Sequence, residues 1–214
     1  MQLTEQDYQA QHKRRLSYMP WLYFSLKPKL KAWAVPWQQQ LQQRLMALET
    51  VTIQNDCFIA PDAQLFAEPG RTIAIQSSSF IAANCVLHGP ITIGSEVAIN
   101  HGCTIDGGRQ GVTIGDKTRI AAGCYIYAFN HGMAPDDDIY RQPVVSLGIH
   151  IGSDVWIGAN VGIRDGVNIG NHAIVGMGAQ VCHDVPEYAI VAGNPARVIG
   201  DRRDKARAGL KKAT

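Results

Sequence analysis

The stretch IGSDVW-IGANVG-IRDGVN-IGNHAI-VGMGAQ-V, Ile151 to Val181, places an aliphatic residue at every sixth position: Ile151, Ile157, Ile163, Ile169, Val175 and Val181. A second series, Val155, Val161, Val167, Ala173 and Ala179, stands two residues ahead of each next member, and glycine follows the first series at 152, 158, 170 and 176. A helix repeats at about 3.6 residues and a flat strand at about 2, so neither gives this period. A coil of short parallel strands, turning a corner after each hexad, does.

The phase extends upstream through Ile53, Ile59 and Leu65, then Ile75, Ile81, Leu87, Ile93, Ile99 and Ile105. A three-residue insertion around Gly107 to Gly111 precedes Ile114, Ile120 and Ile126. After a long interruption from Tyr127 to Val144, Val145 is expected to re-enter phase. At three hexads per triangular turn, these nineteen predict about six coils. Such repeats bury their apolar faces only by stacking, so residues 51–200 are expected to form one all-β solenoid domain.

Composition fits a folded chain of 214 residues, 46% hydrophobic, with a formal charge of only +2. That charge argues against nucleic acid as the main partner. No apolar run nears the ~20 residues needed to span a bilayer, no signal peptide opens the chain, and a cytoplasmic location is expected. Cys57, Cys85, Cys103 and Cys124 each follow a first-series residue by four, in the small inward slot. They are expected to be buried thiols rather than disulfides or metal ligands.

Residues 1–50 lack the hexad and hold Trp21, Trp33 and Trp37 among His12, Lys13, Arg14, Arg15, Lys27, Lys29 and Lys31. Pro20, Pro28 and Pro36 are expected to cut the segment into short helices, with Gln38 to Leu48 as the clearest. Two roles suit it: a cap over the open first coil, or a peripheral membrane contact through residues 12–37. The cap is the preferred reading. A basic helical tail is expected over residues 201–214.

Chemistry is expected where the repeat breaks, because long loops in compact folds are usually functional. The interruption at 127–144 opens with Phe129-Asn130-His131-Gly132 and continues with Asp136, Asp137, Asp138, Tyr140, Arg141 and Gln142. A histidine at this place, His131, is able to take a proton from a hydroxyl or amine. The remaining histidines read as structural, His12 and His172 at the surface and His88, His101 and His150 on coil faces or corners.

Phe129-Asn130-His131, the run Ile151 to Ala159, Gly176 to Val181, Asp184-Val185-Pro186 and Gly193 to Ile199 together resemble the hexapeptide-repeat acyltransferases. The similarity is to the branch with galactoside and maltose O-acetyltransferases and capsule and lipopolysaccharide sugar O-acetyltransferases. It covers roughly residues 51–200. It implies a homotrimer of left-handed parallel β-helices, with active sites between neighbours. It also implies acetyl-CoA as donor and a sugar hydroxyl as acceptor, His131 as general base and the Ala159 N–H as oxyanion donor. By the same resemblance Trp156, Ala159, Met177, Cys182, His183 and Arg197 contact coenzyme A, while Asn100, Asp106 and Asn130 contact the acceptor. Departures from the family pattern stand at Cys182-His183 and Gly200. Zinc-binding members pair histidines five apart; no pair here has that spacing, so no metal is expected. Transfer to a small amine or antibiotic hydroxyl, and a solenoid without chemistry, are the competing readings.

Overall fold

The computed structural model describes residues 3–204 of the chain. Three helices, α1 (Glu5–Tyr18), α2 (Trp21–Phe24) and α3 (Pro28–Leu48), precede a parallel β-solenoid of six complete turns. The first turn shows the plan: β1 (Val51–Ile53), β2 (Phe58–Ile59) and β3 (Gln64–Phe66) lie on three successive faces. Strands on each face stack parallel and in register, so Ile53, Ile75, Ile93, Ile114, Ile151 and Ile169 form one interior column. The hexad is thus the width of one face plus its corner. First-series side chains fill the interior, with Ile59, Ile81, Ile99, Ile120 and Ile157 fully buried.

The four inward thiols are free and buried, and they also donate hydrogen bonds between turns. Cys57, Cys85, Cys103 and Cys124 reach the carbonyls of Gln76, Asn100, Ala121 and Gly158 at 3.1–3.2 Å. Ser79 and Thr118 do the same toward Gly94 and Gly152 at 2.7 and 2.8 Å.

Two sequence expectations are corrected. Val145 is not a rung: Val144–Val145 pairs antiparallel with Asn130–His131, and the coil resumes at Ile149–Ile151. Its aliphatic spacing fitted the phase by coincidence, and Val145 is exposed. Pro36 does not end a helix, because α3 runs through it. The lost bond and ring clash cost about 3 kcal/mol. Against that, α3 buries Ala34 and Gln38 and packs Trp33, Trp37, Leu41 and Leu45 on the core.

That packing closes the open end of the coil. The Gln38 side chain accepts from the Ile59 N–H and donates to the Ile59 carbonyl, both at 2.9 Å, as a neighbouring strand would. Gln42 donates to the Cys57 carbonyl at 2.7 Å. An uncapped edge strand would leave these groups unpaired. At the other end, Ala189–Ala192 continues the second face and Arg197–Asp201 folds back antiparallel to it. Asp201 therefore belongs to a strand and residues 202–204 are helical, as expected of the tail; residues 205–214 lie outside the described residues. No helix among the described residues is long and apolar enough to cross a membrane.

Candidate active site

The chain leaves the third face after Tyr125–Tyr127, runs out through the hairpin of Asn130–His131 and Val144–Val145, and returns at Ile149. Side chains fold this excursion. At its tip the Gln142 amide accepts from the Ala134 N–H at 2.8 Å and donates to the Ala134 and Asp137 carbonyls at 2.9 and 2.8 Å. At its base Asp165, 4% exposed, accepts from the N–H groups of Leu147 and Gly148 at 2.9 Å. Asn130 reaches the same carboxylate at 3.5 Å. Ser146 donates to the Ala128 carbonyl at 2.6 Å and accepts from the N–H groups of Arg109 and Gln110 at 3.0 Å. The insertion at 107–111 thus packs beneath the return limb. Gly108, at φ +55°, is confined to glycine because a Cβ would run into the Ala128 carbonyl.

His131 stands at the outer end of this hairpin, exposed, with Phe129 edge-on at 6.3 Å. Two grooves flank Phe129. One, of about 500 Å³, is lined by Arg71, His88, Asp106, Arg109, Phe129 and Ser146. The other, of about 200 Å³, is lined by Tyr125, Tyr127, Phe129, Asn130, Arg164 and Cys182. In the larger groove His88 is held between two carboxylates, Asp106 at 3.1 Å and Glu68 at 3.0 Å. The Glu68 contact raises the His88 pKa above the ordinary histidine value; partial burial opposes this and Asp106 adds to it. Glu68 is held below its ordinary value chiefly by the same bond. With both ring nitrogens engaged, His88 is a fixed strut rather than a free base. Asp106 is likewise occupied, Oδ1 by the Gly108 N–H at 2.9 Å and Oδ2 by His88.

The other candidates fall on the opposite edge of the third face. Ala159 and Met177 occupy the corner between the second and third faces, joined by a Gly178 N–H to Ala159 carbonyl bond of 2.9 Å. Their own N–H groups have no acceptor among the described residues. Asn100 lies on the same edge two turns earlier, its side chain donating to the Ile120 carbonyl at 2.9 Å. Trp156, 57% exposed, projects from the second face. Arg197 sits beyond Met177, exposed, with Nη1 on the Ala196 carbonyl; His183, after Cys182, is also exposed. Within one chain the candidates therefore form two groups: Asp106, Asn130, His131 and Cys182 on one edge, and Asn100, Ala159, Met177 and Arg197 on the other.

Sequence reasoning missed Asp165, Ser146 and the Glu68–His88–Asp106 chain. Asp165 left one sign: Ile163 is followed by Arg164-Asp165 where the neighbouring hexads carry glycine after the aliphatic. His172, read as a surface residue, is a corner residue that meets Asp154 at 2.9 Å and stacks on Tyr188 at 4.6 Å. No group of three metal-ligating side chains that could hold an ion occurs among the described residues.

Two family models match the coil: the bacterial transferase hexapeptide over residues 148–183, and the hexapeptide repeat of succinyl-transferase over 90–128. The galactoside O-acetyltransferase of Escherichia coli K12 is 30% identical over 146 residues, 66% of this chain and 67% of that protein. Nodulation protein L of Rhizobium meliloti is 46% identical over 112 residues, 51% of this chain and 59% of that protein. The chain spans about half to two thirds of the length of the curated relatives it matches. Among solved structures, a variant of AntD, an N-acyltransferase from Bacillus cereus, superposes with a TM-score of 0.67 at 26% identity, covering 81% of this chain and 97% of that one. That structure holds coenzyme A and dTDP-4-amino-4,6-dideoxyglucose.

Proposed function

Because this chain belongs to the hexapeptide-repeat acyltransferase family, we propose that it moves an acetyl group from acetyl-CoA directly to a sugar hydroxyl. His131 removes the hydroxyl proton as the oxygen attacks the thioester carbon. The resulting oxyanion is held by the Ala159 N–H, whose lack of an internal acceptor supports that role. Collapse expels the CoA thiolate, which takes the proton from the imidazolium. No acyl-enzyme forms; holding both substrates together supplies much of the acceleration.

The observation that carries this reading is the separation of the candidates into two edges of a face only three residues, about 10 Å, wide. A homotrimer of left-handed prisms sets the His131 edge of one copy against the Ala159–Met177 edge of the next. Asp106, Asn130 and Asn100 then contact the acceptor. Trp156 and Met177 flank the pantetheine arm, and Cys182, His183 and Arg197 meet the nucleotide end. Arg197 suits phosphate because a guanidinium pairs bidentately with its oxygens.

A second reading, N-transfer to an amino sugar carried on a nucleotide, is favoured by the likeness to AntD. One experiment separates them: thiol release from acetyl-CoA and longer acyl-CoAs against a panel of sugars, nucleotide sugars and amines. Release with hydroxyl acceptors supports the first and release only with amines the second. Silence across the panel, with a monomer in light scattering, returns the chain to a solenoid without chemistry.

A further inference from the structure

The cap reading accounts for only part of the N-terminal segment. Tyr23, Trp33 and Trp37 pack on the coil, Tyr23 and Trp37 meeting the buried Phe58 at 5.3 and 6.0 Å. Trp21 and Leu22 face outward, Trp21 being 50% exposed, and Phe24 shares its ring between solvent and the buried Phe80 at 6.4 Å. Capping gives no reason for their exposure. Directly after them Lys27, Lys29 and Lys31 are all exposed, as are Arg14 and Arg15 on α1.

Charge is segregated in the same way. Residues 8–48 carry seven Lys and Arg and no Asp or Glu, whereas the rest of the chain carries thirteen against eighteen. The near-neutral total therefore hides a cationic end on an acidic body. An anionic surface attracts the first and repels the second, which orients the molecule cap-first.

We propose that the outer face of the cap, Trp21, Leu22 and Phe24 with Lys27, Lys29 and Lys31, is a docking surface for an anionic lipid bilayer. Aromatic and aliphatic side chains enter the headgroup boundary while the lysines meet lipid phosphates. Self-association through this face is opposed, because it would bring two sets of three lysines together. Single-stranded nucleic acid also takes aromatics beside cations, and binding to an oligonucleotide with no binding to anionic vesicles would overturn the lipid assignment.

The test is sedimentation of the full chain with vesicles of phosphatidylcholine alone, or equimolar with phosphatidylglycerol, at low salt. The chain is expected to pellet with the anionic vesicles only, and to be released as salt is raised and the Debye length falls to about 3 Å near 1 M. Reversing Lys27, Lys29 and Lys31 together to Glu should lower partitioning about 100-fold or more, at roughly fivefold or more for each charge. Trp21→Ala with Phe24→Ala should lower it about tenfold. All six side chains are outside the core, so circular dichroism and soluble acyl transfer should be unchanged. Wild type remaining in the supernatant with anionic vesicles overturns the proposal. So does binding that survives both sets of substitutions, or polyglutamate binding with no lipid binding.

Discussion

The coil and the excursion that interrupts it are built on opposite principles. In the coil the strand N–H groups meet carbonyls of the adjoining turns and an aliphatic column on each of the three faces fills the interior, so every rung repeats the solution of the last. In the excursion no rung repeats. Its shape rests on Asp165, Ser146 and Gln142, each bonding backbone groups that no ladder satisfies. Met133 and Tyr140 are 85% and 95% exposed at its tip, against 0–3% for the first-series rungs from Ile59 to Val181. The rigid repeat supplies a fixed edge, and the irregular segment supplies a side chain that no period could place there.

The hardest test of that division is His131→Ala. Acetyl transfer should fall by a factor on the order of 100 or more, while thermal unfolding of the coil stays put. Turnover near wild type would move the chemistry out of the excursion. Asp165→Ala attacks the hook rather than the chemistry. It leaves two part-buried N–H groups without acceptors and should cost about 1–2 kcal/mol in chemical denaturation, with new proteolytic cuts between residues 128 and 147. A loss of stability with no change in cleavage would show that Asp165 serves the coil alone.

What could be read beforehand follows the same line. The coil is legible because burial at a fixed period leaves a mark at every rung, from Ile53 to Val181. The position of the excursion was legible as a break in that period, and His131 as its one free imidazole. Its anchors were not, because Asp165 and Ser146 act across 17 to 37 residues on backbone atoms that have no sequence signature. Val145 shows the opposite failure, an aliphatic in phase but outside the coil. Pro36 shows that packing of Trp33, Ala34, Trp37 and Gln38 overrides a local breaker.

Arg197→Ala tests the coil's share of the site. Losing one guanidinium–phosphate contact should raise the KM for acetyl-CoA about tenfold and leave kcat largely unchanged. An effect confined to kcat would remove Arg197 from phosphate binding and assign donor recognition elsewhere, with Arg202 excluded by its bonds to Asp154.

The smallest expected effect lies where the two regions meet, at His88 beneath the excursion. Its folded pKa is raised, first by Glu68 and then by Asp106, so its contribution is fully present below the ordinary histidine value of about 6.5. That contribution disappears as pH rises through the raised folded value. Glu68 behaves conversely: its lowered pKa gives stability that is present above its ordinary value and lost as pH falls through the folded one. The strut is therefore strongest in the mildly acidic window between the two. Melting temperature followed from about pH 6 to about pH 8 should fall more for wild type than for His88→Gln, which cannot titrate there. Because Asp106 is shared by His88 and the Gly108 N–H under the return limb, loosening should also appear as faster cleavage of the excursion at the alkaline end. Equal slopes for the two proteins would mean that the carboxylates hold the groove without help from the imidazolium.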